Sequence, residues 1–409
     1  MPPDNSGGLA GASWKVALSV TLLMQTVAAF LNQGVPVLAP LLTGSAGLPP
    51  EAAGHLSALG TLGVLIFLIL GGPILARLGP VRTLQAGALI GAAGMALASL
   101  GGTLALAAAA VMIGLGYGPT PPAGSRILAA TAPPRHRSLI FSVKQAGAPL
   151  GGMVAGLVLA PVAVAWGWPG ALALAVGIAV LSALVIQPSR GSLDVEREPG
   201  RPVGMRALFS RRNIVGPFAA LRLHPLLPPL TALACSLATV QGCFFAFAVT
   251  WLTETHGMSL VEAGMVFAAM QAGGVLARVV LGWAADRTGN AAMNLIGQGL
   301  GGAAVVAVFV LLPPLGFVAT LAMGGLAGSL VASWNGIYQA EVARLSPPGR
   351  IAEATAGSST LCFLGYLIPP VFFALLVTLT GSWLLPQLLA AGQLLVVALL
   401  VLPRLRRGG

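Results

Sequence analysis

Two eight-residue stretches with the same plan lie 210 residues apart in this chain. The first is Gly72-Pro-Ile-Leu-Ala-Arg-Leu-Gly79, and the second is Gly282-Trp-Ala-Ala-Asp-Arg-Thr-Gly289. A long apolar segment precedes each stretch, and these two segments share Ala53-Gly54 and Ala263-Gly264 at the same offset. The regular offset predicts that the chain consists of two halves with the same internal plan.

The amino-acid composition excludes several classes of protein. Of the 409 residues, 56% are apolar and only 8% are charged, whereas a soluble domain carries about 25% charged residues. The three cysteines, Cys235, Cys243 and Cys362, all lie in apolar runs, which excludes a disulfide-stabilised scaffold. The apolar content also excludes a disordered chain. A surface this poor in charge indicates a protein that faces lipid.

A helix needs about 20 mostly apolar residues to span a bilayer. We predict an all-α membrane protein with twelve transmembrane helices in two pseudo-symmetric six-helix bundles. The expected domains are an N-terminal bundle (1–187), a cytoplasmic Arg-rich linker (188–226) and a C-terminal bundle (227–409). The predicted helices cover residues 15–42, 51–76, 83–101, 103–130, 139–165, 168–187, 227–254, 258–284, 291–312, 315–344, 352–379 and 382–402.

The basic residues predict the orientation of these helices. Every Lys and Arg except Arg126, Lys144 and Arg278 falls in a loop or chain end on one side of the predicted membrane region. The positive-inside rule places that side, with both termini and the linker, in the cytoplasm. The net charge of +11 is therefore a topology signal, and no nucleic-acid partner is expected. The expected location is the bacterial inner membrane.

The repeated stretch carries a family resemblance. Residues 282–289 resemble the G-x-x-x-D-R-x-G signature of the major facilitator superfamily, and residues 72–79 resemble its counterpart in the first half, where Ala76 replaces the family's Asp. The resemblance implies a cytoplasmic gate fastened by the signature residues, and Glu341 resembles an acid that pairs with the signature Arg in some members. The alternative is a set of solvated charges at the headgroups. The predicted gate comprises Arg77, Asp286, Arg287, Glu341 and Arg344.

Three cations lie inside predicted helices, where an ionisable group is costly and marks a functional candidate. Arg126 lies near the cytoplasmic end of its helix and can snorkel to the surface. Arg278-Val-Val-Leu-Gly282 resembles the helix-eight Arg-x-x-x-Gly of monocarboxylate transporters. Lys144 enters helix five at similar depth, and the resemblance implies that helices five and eight abut across the two halves. Because like charges repel unless an anion lies between them, Lys144 and Arg278 are the predicted anion-binding pair. The alternatives are a gate role beside Asp286 for either cation, and a lysine that snorkels to the surface.

Polar and aromatic residues near the middle of the predicted helices are candidates for lining a substrate cavity. Amide side chains are unsatisfied in lipid, so they face protein or a water-filled space. Packing between helices is the alternative role for each. The candidates are Gln25, Asn32, Tyr117, Gln145, Gln241, Trp334, Asn335, Tyr338, Ser359 and Tyr366.

These features predict a secondary active transporter that moves a small organic anion, with a carboxylate as the leading class, by alternating access. No catalytic residue, cofactor or metal is expected, because the chain lacks a phosphate-binding loop and its four His are scattered. A monomer is expected, and protons stay open as the coupling ion. Two alternatives also stay open: an exporter of lipophilic or drug-like compounds, and a non-transporting membrane receptor or enzyme on the same scaffold.

Overall fold

The computed structural model describes residues 13–133, 137–195, 197–204, 209, 218–219, 221–314, 316–347 and 351–408. All regular secondary structure in these residues is helical, which confirms the predicted fold class. The helices before residue 196 are α1 (Trp14–Ser45), α2 (Ala52–Leu70), α3 (Gly72–Leu78), α4 (Pro80–Ala98), α5 (Thr103–Tyr117), α6 (Thr120–Thr131), α7 (Arg137–Gln145), α8 (Gly147–Val185) and α9 (Arg190–Leu193).

The helices after residue 220 are α10 (Leu227–His256), α11 (Leu260–Thr288), α12 (Ala291–Leu311), α13 (Phe317–Val331), α14 (Trp334–Leu345), α15 (Ile351–Thr380) and α16 (Leu384–Gly408). We call residues 13–195 the first half and residues 221–408 the second half. The membrane side that carries Trp14 and the linker 188–226 is called the linker side, and the opposite side is called the far side.

Eleven helical segments within the described residues are long and apolar enough to cross a membrane. One of them, Val143–Leu193, contains 51 residues. At 1.5 Å per residue it would measure about 75 Å, more than twice the thickness of a bilayer core. The backbone of Gly167 is not helical (φ 74°), and it interrupts this segment between the predicted fifth and sixth helices. The interruption is consistent with two crossings here and with the predicted total of twelve.

Two predicted helices are broken near their middle, at equivalent places in the two halves. The predicted helix 103–130 is divided into α5 and α6 at Gly118-Pro119, where prolines without an amide hydrogen follow. The predicted helix 315–344 is divided into α13 and α14 at Ala332-Ser333. The Ser333 hydroxyl donates to the carbonyl of Ser329 at 2.7 Å, a contact that bends helices.

Two further breaks lie closer to the linker side of the first half. The predicted helix 51–76 ends early at Leu70, and the short helix α3 follows after Gly71. The predicted helix 139–165 is preceded by the separate helix α7, which ends at Gln145 before α8 begins at Gly147. The predicted break at Gly101-Gly102 is present, and both glycines have positive φ. The predicted ranges are therefore helical, but several of them consist of two helices separated by a break.

The two halves pack tightly against each other at their far-side ends. An apolar cluster unites α1 and α2 with α10 and α15, and in it the rings of Phe247 and Phe373 stack at 4.2 Å. Gly54 on α2 lies against Phe247 and against the main chain of Pro370. The Thr378 hydroxyl of α15 also donates to the Glu51 carboxylate at 2.7 Å. These contacts close the far-side end of the interface between the halves.

The start of the linker folds back onto the first half. Asp194 is 5% exposed, and its carboxylate accepts hydrogen bonds from the main-chain N–H groups of Val81 (2.6 Å) and Arg82 (3.2 Å). These are free N–H groups at the beginning of α4, so Asp194 caps that helix from a distant part of the chain. The N–H of Glu198 further donates to the carbonyl of Ala76 at 2.8 Å. The linker is thereby attached to the turn that carries the first eight-residue stretch.

Candidate substrate site and gate

Helices α8 and α11 form a long contact between the two halves, as predicted for helices five and eight. Gly156 on α8 faces the main chain of Gly264 on α11, so the two backbones approach closely. Gly152 faces the side chain of Gln271, and a methyl group at Gly152 would collide with that amide. Glycines therefore allow close packing of the two helices at the interface between the halves.

Arg278 lies at the linker-side end of this contact and joins the halves. Its Nη1 donates to the carbonyl of Gln145 at 3.1 Å, across the interface. Its Nε and Nη2 donate to the carbonyl of Ala332 at 3.3 and 3.1 Å, within the second half. Both carbonyls lie at helix breaks, at the end of α7 and between α13 and α14. A guanidinium group in the membrane thus uses freed main-chain oxygens as its partners.

Lys144 is 2% exposed and points into the first half. Its Nζ donates to the side-chain oxygen of Gln145 at 3.2 Å. The end of its side chain lies against Gly124 on α6 and close to Thr21 on α1, and a methyl group at Gly124 would crowd it. No carboxylate within the described residues lies within ion-pair distance of Lys144. The two predicted cations therefore meet at Gln145, one on its side chain and one on its carbonyl.

An amide and a phenol lie beside these cations in the first half. Gln25 on α1 is 2% exposed, and its Nε2 donates to the Tyr117 hydroxyl on α5 at 3.0 Å. The Oε1 atom of Gln25 is buried and has no hydrogen-bond partner within the described part of the chain. Tyr117 and Tyr366 are both close enough to Arg278 to interact with it electrostatically. Arg278 is thus within electrostatic reach of two tyrosines, one from each half.

In the second half, the candidates are tied together by Gln241 on α10. Its Oε1 accepts from the Tyr366 hydroxyl at 2.7 Å and from the Trp334 indole N–H at 2.9 Å. A side-chain hydrogen bond also joins Tyr366 and Asn335. These contacts fix the position of Tyr366, which is within electrostatic reach of Arg278.

The remaining predicted cavity residues lie further from the cations or deeper in the helix packing. Tyr338 is 2% exposed and donates to the Thr231 hydroxyl at 3.0 Å, and Trp334 is fully buried. Asn32 is partly buried with its amide oxygen near Gly60, and Ser359 is partly buried on α15. The structure brings Lys144, Arg278, Gln25, Tyr117 and Gln145 together.

Gln271 is a further polar residue that the sequence analysis missed. It is 3% exposed at the interface between the halves, and its Nε2 has no partner among the described residues. It lies seven residues before Arg278, two helical turns away and therefore on the same face of α11. That spacing from a membrane-embedded arginine is the signal by which the sequence could have revealed it.

The predicted gate residues lie at the linker side. Glu341 is 6% exposed and accepts hydrogen bonds at 2.8 and 2.6 Å from Nε and Nη2 of Arg344, on its own helix. The Arg287 guanidinium lies over the ring of Trp283, 5.2 Å from its centre, also on one helix. Arg77 is exposed. The side chain of Asp286 lies outside the described residues, so its predicted pairing stays a prediction.

The described residues contain no cluster of three or more His, Cys, Asp or Glu side chains that could hold a metal ion. The side chains around Arg278 and Gln145 include the cation of Lys144, the phenols of Tyr117 and Tyr366, and the amides of Gln25 and Gln145. Such a set recognises ligands by charge and hydrogen bonds.

A helical protein with many membrane-crossing segments, a repeated plan and cations at the interface between its halves has the architecture of a two-bundle membrane transporter. The profile of the Major Facilitator Superfamily matches residues 21–370, and the chain belongs to that family. Membership in a transporter family confirms the resemblance and the expectation that the protein is not an enzyme. A bacterial homologue of the human lysosomal transporter Spinster has the same fold, with a TM-score of 0.77, 16% sequence identity, and coverage of 96% of this chain and 97% of that one.

Three relatives are similar in sequence. An uncharacterized MFS-type transporter of Mycobacterium tuberculosis is 27% identical, over 68% of this chain and 60% of its own length. The 4-hydroxybenzoate transporter PcaK of Pseudomonas putida is 25% identical over 75% of this chain and 77% of that one. The gallate transporter of Pseudomonas putida is 26% identical over 66% of this chain and 65% of that one. The match thus spans less than two thirds of the mycobacterial and gallate relatives.

Proposed function

We propose that this protein is a secondary active transporter of a small aromatic carboxylate. The observation that carries the proposal is Arg278, an arginine that reaches across the interface between the halves and lies within electrostatic reach of Tyr117 and Tyr366. A guanidinium group binds a carboxylate through two parallel hydrogen bonds, and flat rings pack favourably against the flat ring of a ligand. The names of the gallate and 4-hydroxybenzoate relatives, both transporters of aromatic acids, support this substrate class.

The contacts of Arg278 suggest how the anion is coupled to movement of the halves. In the structure, Arg278 donates to Gln145 in the first half and to Ala332 in the second. A carboxylate is a stronger acceptor than a main-chain carbonyl because it is charged. It therefore competes for the guanidinium group, and Arg278 releases at least one carbonyl when the anion binds. The contact between the halves at this point then depends on the substrate, as alternating access requires.

Lys144 is the second positive charge of the proposed site. Its buried ammonium group has one described partner, the neutral side chain of Gln145, although it can donate three hydrogen bonds. A bound carboxylate supplies a negatively charged partner for this buried ammonium group. Arg278 and Lys144 then hold the anion from opposite halves, on either side of Gln145.

The predicted two six-helix bundles, 1–187 and 227–409, with the linker 188–226 between them, are part of this proposal. By the positive-inside rule, we also propose that the linker side is the cytoplasmic side, with both termini inside a bacterial cell and the protein in its inner membrane. The packed far-side ends of the halves support a state that is closed to the exterior. A monomer suffices, because both proposed cations come from one chain. Protons stay open as the coupling ion.

Uptake of radiolabelled 4-hydroxybenzoate into proteoliposomes tests the proposal. We expect saturable uptake that unlabelled benzoate inhibits, and we expect Arg278→Leu to abolish it. Arg404→Leu is the matched control, because Arg404 is an exposed arginine far along α16 from the site. Transport of lipophilic cations in place of acids would favour the exporter alternative. Binding of acids without transport would favour the receptor alternative.

A further inference from the structure

Gln25 has an unusual environment for a buried amide. Its side chain is 2% exposed, and its stem is held against α8, where a methyl group on Gly147 would lie 2.9 Å from its Cγ. One of its two polar atoms is paired with the Tyr117 hydroxyl, and the other has no partner within the described residues. Leaving a buried polar atom unpaired costs free energy. A buried, fixed and half-satisfied amide next to a proposed substrate site is suited to bind a polar group of the ligand.

Tyr117 adds a second unsatisfied group to the same spot. Its hydroxyl oxygen accepts from Gln25, so the hydrogen of that hydroxyl is available to another acceptor. Gln25 therefore presents a free acceptor and Tyr117 a free donor, side by side. The ligand group that both donates and accepts a hydrogen bond is a hydroxyl. A hydroxyl also satisfies the Gln25 amide in either of its two orientations.

The position of this pair relative to Arg278 decides which hydroxyl it can bind. Tyr117 is close enough to Arg278 for an electrostatic interaction, and Gln25 is hydrogen-bonded to the Tyr117 hydroxyl. A ligand whose carboxylate is held by Arg278 thus extends its ring toward Tyr117. A hydroxyl on the ring, rather than a second carboxylate, meets Gln25 and Tyr117, because both of these groups are neutral.

We propose that Gln25 and Tyr117 form a hydroxyl-recognition pair, which makes the transporter selective for hydroxylated aromatic acids over unsubstituted ones. The proposal rests on the proposed function, in which Arg278 holds the carboxylate. A site built to bind a hydroxyl discriminates against an analogue that lacks it, because the buried polar groups of the site then stay unpaired. Neither residue is needed to hold the charge of the acid, so their contribution appears as selectivity.

The test is a comparison of two affinities, for benzoate and for 4-hydroxybenzoate, on purified protein in liposomes. We expect the wild type to bind the hydroxylated acid about tenfold more tightly. Gln25→Met keeps the length of the side chain and removes its polar atoms. We expect it to reduce the ratio to about threefold or less, through weaker binding of 4-hydroxybenzoate. Tyr117→Phe removes the hydroxyl donor, and we expect the same result.

Gln387→Met is the matched control. Gln387 is 4% exposed on α16 and also has an unpaired Oε1 among the described residues, but it lies against α10 near Cys243 and Phe244. Its substitution should leave the ratio at the wild-type value. Thermal unfolding of each variant establishes that it is folded.

The possible failures are distinguishable. A wild-type ratio near one, with Arg278-dependent binding of both acids, overturns the hydroxyl-recognition pair and leaves the proposed function intact. A Gln25→Met variant that binds both acids equally more weakly also overturns it, since Gln25 then only packs. Folded wild-type protein that binds neither acid overturns the proposed function itself.

Discussion

The helices α4 and α12 begin at equivalent places in the two halves. A side chain next to the helix caps α12, whereas a side chain from the distant linker caps α4. The start of α12 is capped locally, because the Asn290 side chain accepts from the Met293 N–H at 3.0 Å. The start of α4 follows Gly79, which has no side chain, and its cap is Asp194, which accepts from Val81 N–H, 113 residues earlier in the chain. The second half thus closes this turn by itself, whereas the first half needs the linker.

The two halves also differ in where they carry positive charges inside the helices. Lys144 in the first half corresponds to Ser358 in the second, and Arg278 in the second half corresponds to Leu68 in the first. Ser358 is fully buried and donates to a carbonyl of its own helix. The helical frame is therefore built equally well with and without a charge at each place. The difference indicates that the repeated features serve the fold and that the unrepeated charges serve the proposed function.

Replacing Arg278 by the residue of its first-half counterpart has the largest expected effect. In Arg278→Leu we expect aromatic-acid affinity to fall about a hundredfold, because a charge-assisted paired contact is lost. Arg278→Lys should lose nearly as much, since a point charge does not reproduce the flat fork of the guanidinium group. Equilibrium binding of labelled 4-hydroxybenzoate is the measurement. Wild-type affinity in folded Arg278→Leu would show that the asymmetry of the halves has no role in anion binding.

The corresponding exchange in the first half should have a smaller effect. We expect Lys144→Ser and the longer Lys144→Met to weaken anion binding about tenfold, since one charge of the pair remains. The empty protein should at the same time become more stable to heat, because a buried ammonium group without a described carboxylate partner is removed. Opposite changes in affinity and stability separate a binding role from a structural one. A fall in stability without a change in affinity would assign Lys144 to the fold.

The features that the sequence predicted depend on local pattern. Apolar segment lengths located the helices, and the structure has glycines with positive φ at the predicted boundaries, at 101, 102 and 167. A positive φ favours a residue without a side chain. Repeat spacing and the family signature located the equivalent turns. These signals need no knowledge of which helices touch.

The features that were not predicted depend on contacts between distant segments. The break at Ala332-Ser333 has no proline or glycine, and it coincides with the binding of the Ala332 carbonyl by Arg278, 54 residues away. The pairing of Gln25 with Tyr117 spans 92 residues, and no local rule selects that partner. Asp194 lay in a segment that sequence reasoning described only as a basic linker. Tertiary contacts determine the structure at each of these places, and local secondary-structure propensity does not reveal such contacts.

Removing either helix cap tests whether the turn before α4 depends on the linker while the turn before α12 does not. Asp194→Ala and Asn290→Ala each remove a side chain that accepts from free N–H groups at a helix start, at a cost of about 1 kcal/mol. We expect similar decreases in the apparent unfolding temperature in detergent. Asp194→Ala should also increase proteolysis of the linker, because the linker loses its attachment, whereas Asn290→Ala should not. Equal proteolysis in the two variants would contradict the linker attachment.

The Asp194 cap should in addition depend on pH. Burial raises the pKa of Asp194 from 3.8 to about 6, against the opposing effects of the Val81 N–H and of Arg190 and Arg126. Because the folded state binds this proton more tightly than the unfolded state, protonation of Asp194 adds stability that is present below pH 4 and is lost as the pH rises to about 6, while the hydrogen bonds of the cap remain. The unfolding temperature of the wild type relative to Asp194→Asn should therefore fall across this range and be constant above it. A difference that is independent of pH would contradict the assignment.

The gate residues should give the smallest effect. Only the second half carries the acid of the signature, Asp286, and the first half has Ala76 in its place. Pairs of charges near a membrane surface contribute about 0.2–1 kcal/mol, which changes a two-state ratio by at most about fivefold. We expect Asp286→Asn to shift the protein toward the state that is open on the linker side, and Ala76→Asp to shift it away from that state. Spin-label distances between the linker-side ends of α6 and α14 report this ratio. Arg404→Gln is a control at an exposed arginine outside the predicted gate.

If Ala76→Asp leaves the distance distribution unchanged while Asp286→Asn alters it, gating belongs to the second half alone. If neither alters it, the signature residues are solvated charges and the two halves do not differ at this turn.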